Sequence, residues 1–492
     1  MYRPCPLPET DPRWAEIGQK LAEDSHAKIV ERQVNAMDRK ALDELYAGVG
    51  SMAYDPQMML KMVLYQYLKQ GPSPATWFEE AKLNEAMQWL GRGYTPSRRT
   101  WYDFRDRVGG VIEKLHEQVV QNAIEQKLID PTTAVQDGTA VAACASRHRM
   151  LNKKNLTGRR RILNGVIAKT HPPSEPVPMW VPPTETGRHD LAKRMQLAEA
   201  VLDSRIEKQA EKKGGKRKSL EKITVSLSDP VAPLGPDKMK VFRPMYTVQC
   251  VMDEASMMVL GYSCDAVVTD SGTLIPMIEK TQKIVGGRLK TILADSAYCS
   301  TLDILGCRDL GVNLISPVQA NSFTEKKERA KTDRQIPRDQ FRFDAAQNSY
   351  ECPAGHKLAY TGRERKQRHS GQSIWESRYR CGKVHCGSCP LAKQCLRPGS
   401  STRTIKRLDG QELVDAQRAK MVDIDVQKQY SKRGQTVELG FADAKTHRGF
   451  QRFHGRGLDR VRSETGLLFL SQNLLRLERL MLNARKSENI HT

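Results

Sequence analysis

Hydrophobic residues recur at helical spacing through the first part of the chain. Apolar positions three and four residues apart follow Pro56 as far as Leu68. Ser73-Pro74 has the composition of a helix N-terminus, and residues 95–97 open a further helical segment. These patterns predict an all-α N-terminal domain over residues 1–130.

The last of these predicted helices is rich in arginine. It carries Arg98, Arg99 and Arg105 beside three aromatic residues. Short helices joined by glycine turns, with a basic last helix, are typical of a helix-turn-helix DNA-binding domain. A small helical bundle with solvated arginines explains the same pattern equally well, so both interpretations remain open.

From Thr132 onward the pattern changes to that of an α/β protein. Small and β-branched residues predict a first strand that contains Asp137. A hairpin, a helix, a strand that ends at Asp295, a second helix and a last strand follow in the ranges 245–264, 270–285, 289–294, 301–310 and 312–315. This order predicts a core with a mixed sheet over residues 131–318.

Two segments interrupt that core. The first segment, from about residue 147 to about residue 238, contains many arginines, a proline-rich stretch, a charged helical run and the Lys/Arg/Gly run 212–218. We expect a basic mobile insertion without a core of its own that contacts DNA. Residues 319–405 form a basic linker and a cysteine-rich insertion, and residues 406–492 are predicted as the helical C-terminal part of the core.

The composition indicates a polyanionic partner. The chain has 79 Lys and Arg against 57 Asp and Glu, a formal net charge of +22 and a pI near 9.5. Double-stranded DNA is the leading candidate, and a merely basic soluble protein is the alternative. The sequence lacks an apolar stretch of membrane-spanning length or a signal-peptide core, and its eleven cysteines do not indicate a secreted disulfide framework. We therefore expect a cytoplasmic, nucleoid-associated protein that does not engage membranes.

Three carboxylates are the candidate catalytic residues. Phosphodiester transfer uses two divalent metal ions, and magnesium or manganese prefers carboxylate oxygens. Asp137 lies in the first strand, Asp295 at the end of a later strand, and Glu438 in a helical segment. Taken singly, each has an ordinary explanation as a turn residue, a helix cap or a solvated acid.

The neighbourhood of Glu438 resembles a known family. Tyr430, Arg433, Glu438 and Lys445 are followed by Arg448-Gly-Phe, Arg456-Gly-Leu and Asn473-Leu474. This stretch, with residues 137–139 and 294–298, resembles the DDE transposases of bacterial insertion sequences that carry a Tyr-Arg-Glu-Lys signature. One departure is that Arg433 precedes Glu438 by five positions, where the usual pattern has four.

The resemblance implies a ribonuclease H-like catalytic core that cleaves DNA at the inverted repeats of an element and joins it to target DNA. Asp137, Asp295 and Glu438 would hold two magnesium ions, and a synapse of two ends implies a homodimer. Arg433 would clamp a phosphate, Tyr430 would pack on a sugar or base, and Lys445 would share a helix face with Glu438. The alternatives are a DNA-binding regulator with an inactive core and zinc module, or a ribonuclease H-like nuclease without strand transfer.

The cysteine-rich insertion predicts a zinc site. Cys352, Cys386, Cys389 and Cys395 supply four soft ligands from two loops, which suits a structural tetrahedral Zn²⁺. Further candidate ligands are Cys381, His356 and His385, so the set of four stays open. A group of reduced, unligated thiols is the alternative.

Overall fold

The computed structural model describes residues 2–46, 48, 51–211, 218–237, 239–318, 336, 338–367 and 373–491. The chain forms two compact units. The first comprises residues 1–269, 277–289 and 434–492, and the second comprises residues 270–276 and 290–433. This division differs from the predicted domain bounds because the N-terminal helices belong to the same unit as the first strands.

The described residues of the N-terminal part of the first unit form eight helices. They are α1 (Pro12–Lys20), α2 (His26–Asn35), α3 (Lys40–Asp43), α4 (Pro56–Leu68), α5 (Pro74–Leu83), α6 (Glu85–Leu90), α7 (Arg98–Val108) and α8 (Ile112–Glu125). Ser73 and Ser97 cap α5 and α7 through their side chains, as their positions in the sequence indicate. Tyr67, Trp77 and Trp101 are fully buried between these helices and form the centre of their core.

An antiparallel sheet follows in the same unit. Its strands are β1 (Thr133–Ala142), β4 (Leu234–Pro236), β5 (Phe242–Asp253) and β6 (Val259–Asp265). The long strand β5 pairs with β1 along one edge and with β4 and β6 along the other. The predicted hairpin is thus β5 and β6, and Asp253 accepts the backbone N–H of Ser256 in its turn at 2.7 Å.

The insertion between β1 and β4 folds around a core of its own, so the expectation of an insertion without a core was wrong. It contains β2 (Met150–Leu151), α9 (Lys153–Ile167), α10 (Glu185–Ala210) and β3 (Val225–Ser226). Leu156, Leu163, Met195 and Leu202 are fully buried between its elements. Apolar residues at helical spacing within two charged helices supply this core. The basic run 212–217 lies outside the described residues.

The C-terminal part of the first unit begins with an irregular helix. A π-turn (Gly434–Glu438), α17 (Leu439–Ala442) and a second π-turn (Asp443–His447) precede the long helix α18 (Leu458–His491). Helix α18 packs against α2, α4, α7, α8 and β6. Helix α11 (Leu274–Ile284) begins in the second unit and continues in the first.

The second unit contains a parallel strand pair and a separate antiparallel sheet. Strands β7 (Thr291–Leu293) and β8 (Asn313–Ile315) are parallel, with α12 (Thr301–Asp309) between them in the sequence. The antiparallel sheet has the order β13-β12-β11-β10-β9, with strands at Arg342–Asp344 (β9), Ser349–Glu351 (β10), Lys357–Gln367 (β11), Ser373–Cys381 (β12) and Thr404–Leu408 (β13). Helices α13 (Lys383–Gly387), α14 (Ala392–Cys395), α15 (Gln411–Lys420) and α16 (Ile424–Arg433) complete the unit.

The prediction of an α/β protein is confirmed, because helices accompany both antiparallel and parallel strand pairs. The predicted basic linker lies largely outside the described residues, since residues 319–335 are not among them. Among the helices that the structure describes, none combines the length and the apolar character needed to cross a membrane.

Candidate active site and cysteine cluster

Asp137 lies in the middle of β1, opposite Cys250 of β5. Its carboxylate accepts the backbone N–H of Gly138 at 2.8 Å, and the residue is half-buried. Burial, followed by the negative charge of Asp137, raises the pKa of the Cys250 thiol well above its usual range. Cys250 is therefore a neutral neighbour of this carboxylate and not a thiolate ligand.

Lys445 lies on the same strand face as Asp137. Its Nζ donates to Thr139 Oγ1 at 2.5 Å and to the Ala140 carbonyl at 3.3 Å. Alternate residues of a strand point to the same face, so Thr139 and Asp137 share one face of β1. The second π-turn thus delivers a cation to the strand that carries the first candidate acid.

Glu438 ends the first π-turn and is exposed. This turn packs against β1 and β5 through the buried residues Thr436 and Val437, and Thr436 Oγ1 donates to the Glu254 carbonyl at 3.4 Å. The next turn can lie close to β5 because residue 440 is glycine, where a Cβ atom would overlap the Met252 side chain. Such π-turns are frequent at functional sites.

Asp295 belongs to the second unit, directly after the buried strand β7. Its carboxylate caps a 3-10 turn by accepting the Ala297 N–H at 2.7 Å, and its carbonyl accepts Ser316 Oγ at 2.8 Å. The carboxyl ends of parallel strands are a common place for functional residues. Tyr430 and Arg433 also lie in the second unit, half-buried at the end of α16.

The first unit therefore brings together Asp137, Lys445 and the turn that carries Glu438, whereas Asp295, Tyr430 and Arg433 lie in the second. Within the described ranges, no group of three His, Cys, Asp or Glu side chains is arranged to hold a metal ion. The carboxylates nevertheless fit magnesium or manganese by their chemistry, since both ions prefer oxygen ligands.

Two arginines and one acid hold the end of β1, and of these the sequence had singled out only Arg456. Arg452 donates to the carbonyls of Ala143 and Ala145 at 3.2 and 2.9 Å, and Arg456 donates to the carbonyl of Cys144 at 3.1 Å. Glu464 accepts the backbone N–H groups of His454 and Gly455. The segment bound in this way pairs with the end of β1 at Ala142. The position of Glu464 just before the apolar run 467–470 was the signal in the sequence that could have revealed it.

The arginines of α7 differ in exposure. Arg98 is exposed, and the Arg99 side chain is 91% exposed beside Asp103. Arg105 is only 3% exposed, and its guanidinium binds Asp106 at 2.7 Å. Its burial contradicts the direct DNA contact that the sequence suggested for Arg105.

Five cysteines of the second unit line one cavity together with two histidines, whereas Cys299 and Cys307 of the same unit do not line it. The lining thiols and imidazoles belong to Cys352, Cys381, Cys386, Cys389, Cys395, His356 and His385. Cys352 Sγ accepts the backbone N–H of His356 at 3.3 Å within a tight turn, and the rings of His356 and His385 stack at 4.8 Å. Burial and a hydrogen bond with Cys386 raise the pKa of Cys381 to about 12. The donors have the chemistry of a zinc site, although no three of them stand in a ligating arrangement in the described part of the chain.

Two family models match the chain. The model described as Transposase domain (DUF772) matches residues 15–107, and the model described as Transposase DDE domain matches residues 351–478. The second match contains the cysteine cluster and Glu438, whereas Asp137 and Asp295 lie outside both. No curated protein and no solved structure matches the chain. Transposase models thus match both the N-terminal helices and the C-terminal part of the chain, and together they support a DDE transposase of the insertion-sequence type.

Proposed function

We propose that this transposase cleaves DNA at the ends of an insertion sequence and transfers the strand to target DNA through Asp137, Asp295 and Glu438. The observation that carries the proposal is the contact of Lys445 with Thr139 on the Asp137 face of β1. The turn that ends at Glu438 packs on the same strand. A cation and two acids from distant parts of the chain are thereby gathered around one strand, as phosphoryl transfer requires.

Two divalent ions held by the three carboxylates would activate a water or a 3′-hydroxyl and stabilise the leaving oxygen. Lys445 binds a phosphate next to these acids, held by its contact with β1. Arg433 and Tyr430 contact the DNA backbone and a sugar or base. The extra residue between Arg433 and Glu438 falls in the π-turn Gly434–Glu438, which uses one residue more than an α-helical turn.

The order of strand, hairpin, helix, strand, helix and strand supports a ribonuclease H-like core made from β1, β5, β6, α11, β7, α12 and β8. Arg98 and Arg99, exposed on α7, bind the phosphates of the inverted repeats. Joining two element ends requires a synaptic complex, for which we propose a homodimer.

The cysteine cluster is proposed as a structural zinc site. Cys352, Cys386, Cys389 and Cys395 are the ligands, and Cys381, His356 and His385 are the alternatives that line the same cavity. A metal would stabilise a sheet whose buried core cluster is small. Elemental analysis of the purified protein should give about one zinc per chain, and Cys386→Ser should lower it. Cys264→Ser, at a buried thiol of the first unit, is the matched control.

Cleavage of a defined duplex tests the catalytic proposal. The protein is incubated with magnesium or manganese and a duplex that carries the inverted repeats flanking its gene. Nicking at the repeat ends and joining to a target duplex are the expected results. Asp295→Asn should abolish both while DNA binding persists, and Asp309→Asn, at an exposed acid of the same unit, should leave both unchanged.

Binding without any nicking by the wild-type protein would favour the DNA-binding regulator. Nicking without joining would favour the nuclease. Cleavage by Asp295→Asn would show that the proposed triad is wrong.

A further inference from the structure

A cleft in the first unit gathers three arginines around a single carboxylate. Arg448, Arg476 and Arg479 line it together with Asp443 and Gln472. The remaining wall is apolar and comes from the hairpin β5–β6 and from α18. The proposed catalytic residues do not include any of these side chains.

Two of the arginines, Arg476 and Arg479, reach the cleft because of their spacing on α18. Gln472, Arg476 and Arg479 are four and three residues apart, which places them on one stripe of the helix. Other positions of the same helix, such as Leu474 and Leu477, are buried. The stripe is therefore a polar interruption in a helix that otherwise packs into the core.

The positive charge of the cleft exceeds its negative charge. Asp443 already accepts Arg448 Nε at 3.2 Å and Gln472 Nε2 at 3.1 Å. In the part of the chain that the structure describes, Arg476 and Arg479 form no ion pair. Glu478, the neighbouring acid on α18, is bound by Arg32 and Gln33 on another face of the helix.

Burial and the positive charge of the cleft destabilise the protonated form of Arg476. Burial lowers the pKa of Arg476, the charges of Arg479 and Arg448 lower it further, and Asp443 opposes the effect only in part. The positive region extends beyond the cleft, since burial lowers the pKa of His26 and the charges of Arg448 and Lys69 lower it further. Arg476 is half-buried and Arg479 is exposed, and arginines that form no ion pair in the described structure, beside an apolar wall, are characteristic of a site that binds an anion.

We propose that this cleft binds a phosphodiester group of the DNA on which the transposase acts, with Arg476 and Arg479 as its ligands. The inference rests on the proposed function for its ligand, and phosphate is the chemistry that the cleft recognises. Arginine binds phosphate oxygens through two parallel N–H groups, which suits an anion placed between two guanidinium groups. Gly440 and Asp443 line the cleft and belong to the helical segment of Glu438. The bound phosphate therefore fixes the DNA backbone beside the segment that carries the third acid.

The test compares the double variant Arg476→Gln/Arg479→Gln with wild-type protein and with Arg485→Gln. Arg485 is an exposed arginine farther along the same helix and controls for the loss of charge. Fluorescence anisotropy measures binding of the inverted-repeat duplex from low to high salt. The slope of log K against log salt concentration is negative. Loss of one phosphate contact should reduce its magnitude by about one for the double variant. The slope for Arg485→Gln should stay unchanged.

Thermal unfolding provides the second measurement. Because Arg476 and Arg479 lack ion pairs in the described structure, their removal should leave the Tm equal or raise it. A marked loss of Tm would identify them as structural residues and overturn the proposal. An unchanged salt slope, or an equal fall for Arg485→Gln, would also overturn it.

Inorganic phosphate separates a free anion from the DNA backbone. If phosphate without DNA raises the Tm of the wild type but not of the double variant, while the DNA slope is unchanged, the cleft serves a free anion and the DNA proposal fails. Cleavage by the wild-type protein is measured in parallel. A shifted slope without cleavage would refute the catalytic proposal alone, and cleavage with an unshifted slope would refute the cleft alone.

Discussion

Glu464 should make the stability of the first unit depend on pH in a direction opposite to that of most acids. The side chain is 2% exposed and binds the segment that pairs with the end of β1. Burial raises the pKa of its carboxyl from 4.5 to about 7, against the opposing effect of the N–H groups of His454 and Gly455. The folded protein therefore holds a proton on Glu464 over a range in which the unfolded chain has lost it.

The sign and size follow from this difference. Protonation of Glu464 contributes stability that is fully present below pH 4.5 and is lost as the pH rises through about 7. A pKa rise of this size corresponds to about 3 kcal/mol in total, most of which falls between pH 5 and pH 8. Glu464→Gln removes the titration. The amide can accept only one of the two N–H groups, which adds a loss of stability that does not vary with pH.

The assay is urea unfolding of the wild type and of Glu464→Gln at several pH values, with the difference between them as the measured quantity. The stability of the wild type relative to the variant should fall as the pH rises from 5 to 8. His116 provides a control of opposite sign, because burial, followed by Lys280, lowers its pKa to about 3. Its contribution is lost as the pH falls below about 6.5, and His116→Gln should show that dependence. A wild-type-minus-Glu464→Gln difference that is constant over this range would refute the reasoning.

Three further predictions test the site and the fold. Lys445→Ala should slow cleavage about 100-fold in single-turnover assays, with DNA binding retained. The control Lys428→Ala, on the exposed helix α16, should cleave at the wild-type rate. Equal cleavage rates for the two variants would contradict the role of Lys445. Gly440→Leu should reduce cleavage because the added side chain overlaps Met252. The control Gly158→Ala should not reduce cleavage, because its added Cβ atom has open space. Full activity of Gly440→Leu would show that the Glu438 segment tolerates displacement. Leu163→Ala should destabilise the insertion by about 2–5 kcal/mol and speed amide hydrogen exchange in α9 and α10. Unchanged exchange rates would mean that the core of the insertion does not stabilise these two helices.

Elements with a strong local signal could be predicted from the sequence. Ser97 as a helix cap, the hairpin turn at Asp253 and the strand that ends before Asp295 all appear where the residues indicate. Each depends on neighbours within a few residues. The π-turns that flank α17 could not be predicted, since their sequence has ordinary helical composition. The first packs against β1 and β5, and the second contacts β1 through Lys445, so both involve residues distant in the sequence.

Burial of charged residues was the main property that the sequence did not reveal. Arg105 lies among exposed arginines in the sequence, but Asp106 and the packing of α18 near its backbone, through Ser463 Oγ at 3.2 Å, determine its environment. The insertion was misjudged for a similar reason. Its core residues, among them Leu163 and Met195, are spread through charged helices and become a cluster only when the helices pack.

Helix α18 explains why the N-terminal helices and the sheet form one unit. Asn473, which belongs to the family signature, binds both the N–H and the carbonyl of Val259 in β6, at 2.9 and 2.8 Å, and lies 3.1 Å from His116 of α8. One side chain thus forms hydrogen bonds with the backbone at the edge of a strand and contacts an N-terminal helix. Since Glu464 and the arginine cleft belong to the same helix, a variant that tilts α18 should alter both the end of β1 and the cleft. The pH and salt experiments therefore require variants, such as Glu464→Gln and Arg476→Gln, that change one polar group and leave the apolar face of α18 intact.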